Sequence, residues 1–274
     1  MSLSLQSGRP VILSMDVSGT DDSDYRVMIQ GRVRYLTIAR GTYDRSTLST
    51  PLDSLPYLPE SDAWNRARIS RDSSTGELKA EVCDEVLPGV QDTWHPESFD
   101  CLELQRVKRL TAATFEATCP GHTLSKPTST VVAKIAHFWW EIPRLAQETR
   151  IYKSLENTGL APRFLGHVHE HGRVIGILLE KLDGREANID DLPACRSVLK
   201  KLHAVGIRHG DVNRYNFIVR GDAVKLIDFE GSEMCHGDAA SLEAEMASLE
   251  GELNECTGRG GGFLFKDTQS WSEQ

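Results

Sequence analysis

The sequence predicts an α+β protein, with strands throughout the first half and helices only later. Apolar and polar residues alternate at 25–35, which is typical of a strand pair with one buried face. Apolar residues recur at helical spacing in 143–156, 195–202 and 242–253. Two short apolar runs at 217–227, separated by a Gly-Asp turn, indicate one more hairpin late in the chain. Strands therefore predominate in the first half of the chain, and helices and hairpins share the second half.

Length, charge and cysteine usage narrow the class of protein. With 274 residues the chain has enough material for one large or two small domains. The net charge of −9 argues against direct nucleic-acid binding, and no apolar run is long enough for a membrane span. The first residues lack the pattern of a secretory signal, and the six cysteines form no C-x-x-C pair. We therefore expect a cytoplasmic protein, with the nucleus as the alternative location.

Residues 1–95 are expected to form a β-rich region of their own. Hairpins are predicted at 25–35 and at 66–82, the second around a Ser-Ser-Thr-Gly turn. Residues 41–63 contain three prolines and many small polar residues, so they are predicted to be a loop. This region is either a separate subdomain or an extension of the next sheet. Docking of a protein partner is one role that we consider for it.

A charged residue interrupts the third strand of the next predicted sheet. Strands are predicted at 102–110, 114–119 and 130–136, and the last of these contains Lys134 among Val, Ala and Ile. Burying an unpaired ammonium costs several kcal/mol, so Lys134 needs an acidic partner or bound phosphates. The following helix contains Glu148, which is one candidate for that partner. Glu141 is the rival, but it precedes Pro143 and is expected to lie outside the helix.

Histidines alternate in the next predicted hairpin, which has strands at 165–169 and 174–179. His167, His169 and His171 would share one side of a strand. No carboxylate or cysteine joins them in register, so we interpret them as exposed histidines and not as a metal site.

The residues with the clearest chemical signal follow the helix predicted at 191–206. Asp211 and Asn216 lie five positions apart in a loop, and Asp228 ends the hairpin that comes next. Two carboxylates and one amide would then lie on a rigid base at the mouth of a cleft. Metal-assisted phosphoryl transfer requires such groups, because it needs a base for the acceptor hydroxyl and oxygen ligands for Mg²⁺.

These motifs resemble the protein-kinase-like superfamily. His209-Gly-Asp followed by Asn216 is similar to the catalytic loop of aminoglycoside and choline phosphotransferases and of small KEOPS-type atypical kinases. Ile227-Asp-Phe-Glu resembles the Asp-Phe-Gly metal motif. The resemblance implies a bilobal kinase-like fold with a β-rich N-lobe at 96–182, a shortened helical C-lobe at 183–257 and a flexible tail at 258–274.

The resemblance also implies ATP and Mg²⁺ as cofactors and assigns roles to individual residues. Asp211 would orient or deprotonate a hydroxyl-bearing acceptor, which is a small molecule or a protein. The backbone near Glu180 and Leu182 would hydrogen-bond adenine. Lys134, oriented by Glu148, would hold the phosphates of ATP. Asn216 and Asp228 would hold Mg²⁺.

Three departures from the family pattern keep other functions open. The turn at 111–114 contains no glycine, Glu230 replaces the usual glycine, and only 44 residues follow Glu230. A pseudokinase that binds nucleotide or regulates a partner is therefore the alternative to an active phosphotransferase. A glycoside hydrolase that uses Asp211 and Asp228 as its acid and base is a third interpretation, which leaves Lys134 and Asn216 unexplained.

Overall fold

The computed structural model describes residues 10–119, 130–235 and 237–260. The chain divides into two compact units, Met1–Leu87 and Pro88–Gln274. This division falls slightly before residue 95, where the sequence had placed the end of the N-terminal region. Of the tail expected at 258–274, residues 261–274 lie outside the described part of the chain. Among the described helices, none combines the length and apolar character that a membrane crossing requires.

The first unit is a five-stranded sheet with one short helix. The strands lie in chain order across the sheet and have these bounds: β1 (Val11–Asp16), β2 (Ser23–Ile29), β3 (Arg32–Ile38), β4 (Arg66–Arg71) and β5 (Leu78–Cys83). Both predicted hairpins, β2–β3 and β4–β5, are present. The prediction of a plain loop at 41–63 was wrong. Helix α1 (Arg45–Ser49) lies there, because the Asp44 carboxylate accepts the Thr47 N–H and caps it.

The core of the first unit is built from the alternating residues of β2 and β3. Tyr25, Leu36 and Ile38 are fully or almost fully buried and pack with Ile69 of β4. The sequence analysis did not foresee strand β1, which pairs with β2 at the edge of the sheet. Its side chains are half-buried or exposed, so its sequence carries little apolar periodicity.

The second unit begins with a six-stranded sheet. Its strands are β6 (Ser98–Asp100), β7 (Gln105–Arg109), β8 (Thr114–Thr118), β9 (Val131–Ile135), β10 (Phe164–Glu170) and β11 (Arg173–Glu180). They are ordered β6-β10-β11-β9-β8-β7, so β9 lies inside the sheet. Val131, Ala133 and Ile135 are buried on one face of β9, which turns Lys134 to the other face. Helix α2 (Ile142–Ser154) follows β9 in the chain and carries Glu148.

The remainder of the second unit contains two helices and two small sheets. The helices are α3 (Leu192–Ala204) and α4 (Ala239–Asn254). The strands are β12 (Arg185–Glu186), β13 (Ile207–Arg208), β14 (Phe217–Arg220), β15 (Ala223–Leu226) and β16 (Glu233–Met234). The buried positions of α3 are Cys195, Val198, Leu199 and Leu202, as its spacing predicted. The α+β fold, with a β-rich lobe followed by a shortened helical lobe, is therefore confirmed.

The alternating histidines require a correction. His167 is buried, with only 2% of its surface exposed, and its Nε2 accepts the backbone N–H groups of Trp94 and His95 at 3.1 and 3.3 Å. Burial, followed by the nearby His95, lowers the pKa of His167 to about 4. His167 is thus a neutral structural residue that fastens the segment before β6, and the interpretation as an exposed histidine was wrong for this position.

Candidate active site

The Lys134 ammonium is at the centre of a cluster of carboxylates. Its Nζ lies 2.8 Å from Glu148 Oε2, 2.7 Å from Asp228 Oδ1 and 2.9 Å from Glu230 Oε1. The structure thus brings together the lysine, the helix glutamate and the aspartate that the sequence had singled out. Glu141 is not the partner, because its carboxylate accepts the N–H groups of His137 and Phe138.

The protonation states of this cluster follow from burial and charge. Burial alone would lower the pKa of Lys134, but the three carboxylates outweigh it and raise that pKa well above its ordinary value. Glu148 is almost completely buried, and this burial raises its pKa although Lys134 opposes the shift. Asp228 and Glu230 keep 45% and 36% of their side-chain surface exposed. They therefore face a cleft where a ligand can reach them.

Segment 228–231 is held in an unusual backbone conformation. Asp228 has a φ of +63°, in the left-handed region that non-glycine residues seldom adopt. The Phe229 N–H donates to Glu148 Oε1 at 3.2 Å, and the Phe229 ring is fully buried. Glu148 therefore positions both the lysine and the start of this segment. Backbone strain of this kind persists where the surroundings enforce it, as they do here.

The catalytic-loop candidate Asp211 is exposed at its carboxylate and tied down at its backbone. The amide of Asn216 donates from Nδ2 to the Asp211 carbonyl at 2.9 Å and to Asp211 Oδ2 at 3.2 Å. Asn213 accepts the Tyr215 N–H at 2.9 Å and caps the short turn between them. Since Nδ2 of Asn216 is engaged by Asp211, its amide oxygen is the atom that remains for a cation.

The loop that carries Asp211 and the segment 228–231 contact each other through glycines. Gly210 has a φ of +83°, and a Cβ added there would collide with the carbonyl of Gly231. The Ser232 hydroxyl donates to the His209 carbonyl at 2.6 Å, and His209 Nε2 lies 3.1 Å from the Ile227 carbonyl oxygen. Asp211 and Asp228 are thereby placed on adjoining loops, which is the arrangement that the spacing of the motifs predicted.

Glu245 anchors the catalytic loop, and sequence reasoning missed it. This residue of α4 accepts the N–H of His209 at 3.0 Å and the N–H of Gly210 at 2.6 Å, and its Oε2 lies 2.8 Å from His203 Nε2. The stripe at 242–253 is defined by its apolar residues alone, so it gave no indication of Glu245. Glu245 lies at a position neighbouring that stripe, and a buried acid in an otherwise apolar face was the available signal.

A cavity of about 330 Å³ lies beside the lysine cluster. Its lining includes the 111–113 turn, Lys134, Arg144 and Glu230. Arg144 was also missed, because an exposed arginine in the first turn of a helix carries no distinctive sequence signal. The cavity thus has two cations and a short backbone turn beside two carboxylates, Glu141 and Glu230.

The residues assigned to adenine lie away from this cavity. Glu180 ends β11, and its N–H donates to the Arg163 carbonyl at 2.9 Å. Its carboxylate accepts the Arg163 N–H and lies 3.4 Å from Lys225 Nζ, contacts that outweigh burial and lower its pKa. Leu182 follows in the segment between β11 and β12 and is half-buried. The described geometry leaves their role in base binding a prediction.

Comparison with known proteins gives one match. Residues 172–261 match the model of a family described as lipopolysaccharide core biosynthesis protein (WaaY), which belongs to the protein-kinase-like superfamily. The matched segment covers about a third of the chain and contains Asp211, Asn216 and Asp228, but not Lys134 or Glu148. No curated protein matches the chain.

The family match and the lysine cluster involve different parts of the chain. The family match covers the helical lobe with the catalytic loop, and the β-rich lobe supplies the lysine that reaches Asp228. Over residues 172–261 the chain is thus similar to the WaaY family, whose members are kinase-like phosphotransferases of the protein-kinase-like superfamily.

Proposed function

We propose that this protein transfers the γ-phosphate of ATP to a hydroxyl group of a saccharide acceptor. The observation that carries the proposal is that Lys134 of β9 contacts both Glu148 of α2 and Asp228 at 2.8 Å or less. The loop with Asp228 adjoins the loop that carries Asp211. An ammonium held in this way is suited to the α- and β-phosphates of a nucleotide. Because ATP is the donor, we place the reaction in the cytoplasm.

Each polar residue of the site then has a definite task. Asp211 accepts the proton of the acceptor hydroxyl, or orients that hydroxyl for attack on the γ-phosphorus. Lys134 holds the phosphates, and Glu148 holds Lys134. Arg214, in the same loop as Asp211, has no hydrogen-bond partner for its buried Nε among the described residues and is available to the transferring phosphoryl group.

The oxygen donors of the site fit a magnesium ion. The amide oxygen of Asn216 and the carboxylate of Asp228 are hard ligands of the type that Mg²⁺ prefers, and Glu230 adds a third oxygen donor beside Asp228. When bound, the ion neutralises charge on the β- and γ-phosphates. Asn216 and Asp228 would hold it, and the partial exposure of Asp228 leaves room for phosphate oxygens.

The acceptor class rests on the matched family. Its description names lipopolysaccharide core biosynthesis, and the core of lipopolysaccharide is an oligosaccharide rich in hydroxyl groups. The exposure of Asp211 supports a bulky acceptor, since its carboxylate is reachable from solvent.

The test compares wild-type protein with Asp211→Asn. Formation of ADP is measured with ATP, Mg²⁺ and lipopolysaccharide core oligosaccharide, and phosphate incorporation is followed by mass spectrometry. Loss of the general base should lower kcat about 10²- to 10⁴-fold and leave ATP binding intact. Asp222→Asn is the matched control, because Asp222 is an exposed aspartate in the turn of the neighbouring hairpin.

Two outcomes would reject the proposal. Equal turnover by Asp211→Asn and wild type would exclude the role of Asp211. A wild-type protein that shows a thermal shift with ATP, with or without Mg²⁺, but phosphorylates neither saccharide nor protein would instead be a nucleotide-binding pseudokinase.

A further inference from the structure

A short segment after α4 folds back beside the catalytic loop. We name residues 255–260 the acceptor strap. The Glu255 carboxylate accepts the N–H groups of Thr257 and Arg259 at 2.7 and 3.2 Å, which folds the strap into a turn. Gly258 and Gly260 both have positive φ, at +86° and +82°. The strap therefore has a defined path, because two glycines and one carboxylate cap determine it.

The end of the strap lies directly on the loop that carries Asp211. A Cβ added at Gly260 would come within 2.7 Å of both Cγ and Nδ2 of Asn213. Asn213 is only 4% exposed and lies two residues after Asp211. A Cβ at Gly258 would meet nothing within 4 Å. The close approach is therefore specific to Gly260, and it places the end of the strap against the loop that carries Asp211.

The strap carries one cation, Arg259, whose ion pair orients the guanidinium but leaves some of its N–H groups free. Its Nη2 donates to both carboxylate oxygens of Glu252, at 2.8 and 2.7 Å. Among the described residues, its Nε and Nη1 have no side-chain partner, and 66% of the side chain is exposed. The hydrogen bond to Glu252, followed by the charges of residues that include Asp211, raises the pKa of Arg259. A fixed guanidinium with free donors is suited to an oxyanion.

We propose that the acceptor strap forms one wall of the acceptor site and that Arg259 binds an anionic group, a phosphate or a carboxylate, on the acceptor. The proposal rests on the phosphotransferase function and specifies the class of its substrate. Glu252 is the positioning residue, since it holds the guanidinium in one place. Gly260 sets the distance, because only a residue without a side chain allows the strap to reach Asn213.

The first experiment measures binding of glycerol 3-phosphate, a hydroxyl compound with one phosphate. Calorimetry with the full chain, a non-hydrolysable ATP analogue and Mg²⁺ at fixed ionic strength gives its Kd, and glycerol serves as the uncharged comparison. Arg259→Gln should weaken the binding of glycerol 3-phosphate about tenfold, the loss expected for one charge-assisted contact. Arg196→Gln should leave it unchanged, because Arg196 is an exposed arginine 3.9 Å from another glutamate of α4, Glu250.

The second experiment moves the strap without changing its charge. Gly260→Ala and Gly258→Ala place the same residue at nearly the same strained φ, but only the first displaces the strap from Asn213. Gly260→Ala should weaken glycerol 3-phosphate binding at least threefold, and Gly258→Ala should behave as wild type. Absence of saturable binding to the wild type, or equal affinity in Arg259→Gln, overturns the proposal. Because the assay requires no turnover, anion binding that persists without phosphate transfer would refute only the proposed function.

Discussion

Replacing Lys134 with methionine removes the cation that lies between three carboxylates. Asp228 and Glu230 are about half and one third exposed, so water can solvate them once the ammonium is gone. Glu148 has 1% of its side chain exposed and would retain only the Phe229 N–H as a partner. The main cost therefore comes from one buried, uncompensated carboxylate, for which about 3–5 kcal/mol of folding free energy is expected.

The pH dependence of this variant has a definite sign. Burial already raises the pKa of Glu148, and removal of Lys134 removes the charge that opposes this shift. Above the ordinary pKa of a glutamate, the folded state then binds more protons than the unfolded state, so stability falls as the pH rises. The destabilisation by Lys134→Met should accordingly be smaller at pH 5.5 than at pH 7.5.

The assay measures folding stability at two pH values. The protein is equilibrated in urea at pH 5.5 or 7.5 and then pulse-labelled with deuterium at a single pH, and hydrogen exchange is followed in the peptides that cover β9 and α2. Lys181→Met is the control, since Lys181 forms a 2.7 Å pair with Glu116 at a half-exposed position and should cost about 1 kcal/mol or less. The double variant Lys134→Met with Glu148→Gln should recover much of the loss. Two results would refute this reasoning. One is a loss of folding free energy in Lys134→Met that is no larger than in Lys181→Met. The other is a loss in the double variant that equals the sum of the losses in the two single variants.

Three further predictions concern single residues. Glu245→Gln removes the charge that caps the N–H groups of His209 and Gly210, so kcat should fall while KM for ATP stays near wild type, and steady-state kinetics will distinguish the two constants. Glu230→Gln should change folding stability by about 1 kcal/mol or less, because the group is partly exposed, but should raise the Mg²⁺ concentration needed for half-maximal ATP turnover. Burial keeps His167 neutral, so its contribution to folding stability is fully present above pH 6.5 and should be lost as the pH falls towards 4. His167→Gln should reduce this acid-induced loss of stability, which urea titrations at several pH values will measure.

Part of the site could be predicted from the sequence, because a buried charge needs a partner and a metal site needs oxygen donors close together. An ammonium in an apolar strand requires a counter-charge, and the resemblance to kinase-like proteins indicated Glu148 of the next helix as its source. The spacing of Asp211, Asn216 and Asp228 in a loop and hairpin likewise placed three oxygen donors on one rigid base. These inferences depend on local sequence and on the cost of burying charge, and the contacts of Lys134 with Glu148 and Asp228 agree with them.

Other parts of the site depend on contacts between residues far apart in the chain. Glu245 meets His209 across 36 positions, and nothing in the spacing of α4 distinguishes an anchoring glutamate from a solvated one. Gly260 likewise meets Asn213 only because the strap turns back after α4. The histidines at 167, 169 and 171 alternate regularly, but of these three only His167 is buried, so periodicity did not indicate its burial beneath the segment before β6.

The amino-acid sequence by itself determined the class of fold, the order of its main strands and helices, and the residue types that perform the chemistry. Periodicity reports which face of an element is buried, and buried charge demands a partner. Only the tertiary structure decided which acid anchors the catalytic loop, that Glu230 joins the lysine cluster, and that the strap lies beside Asn213. Those contacts arise when elements distant in sequence pack together, and their geometry depends on the whole fold.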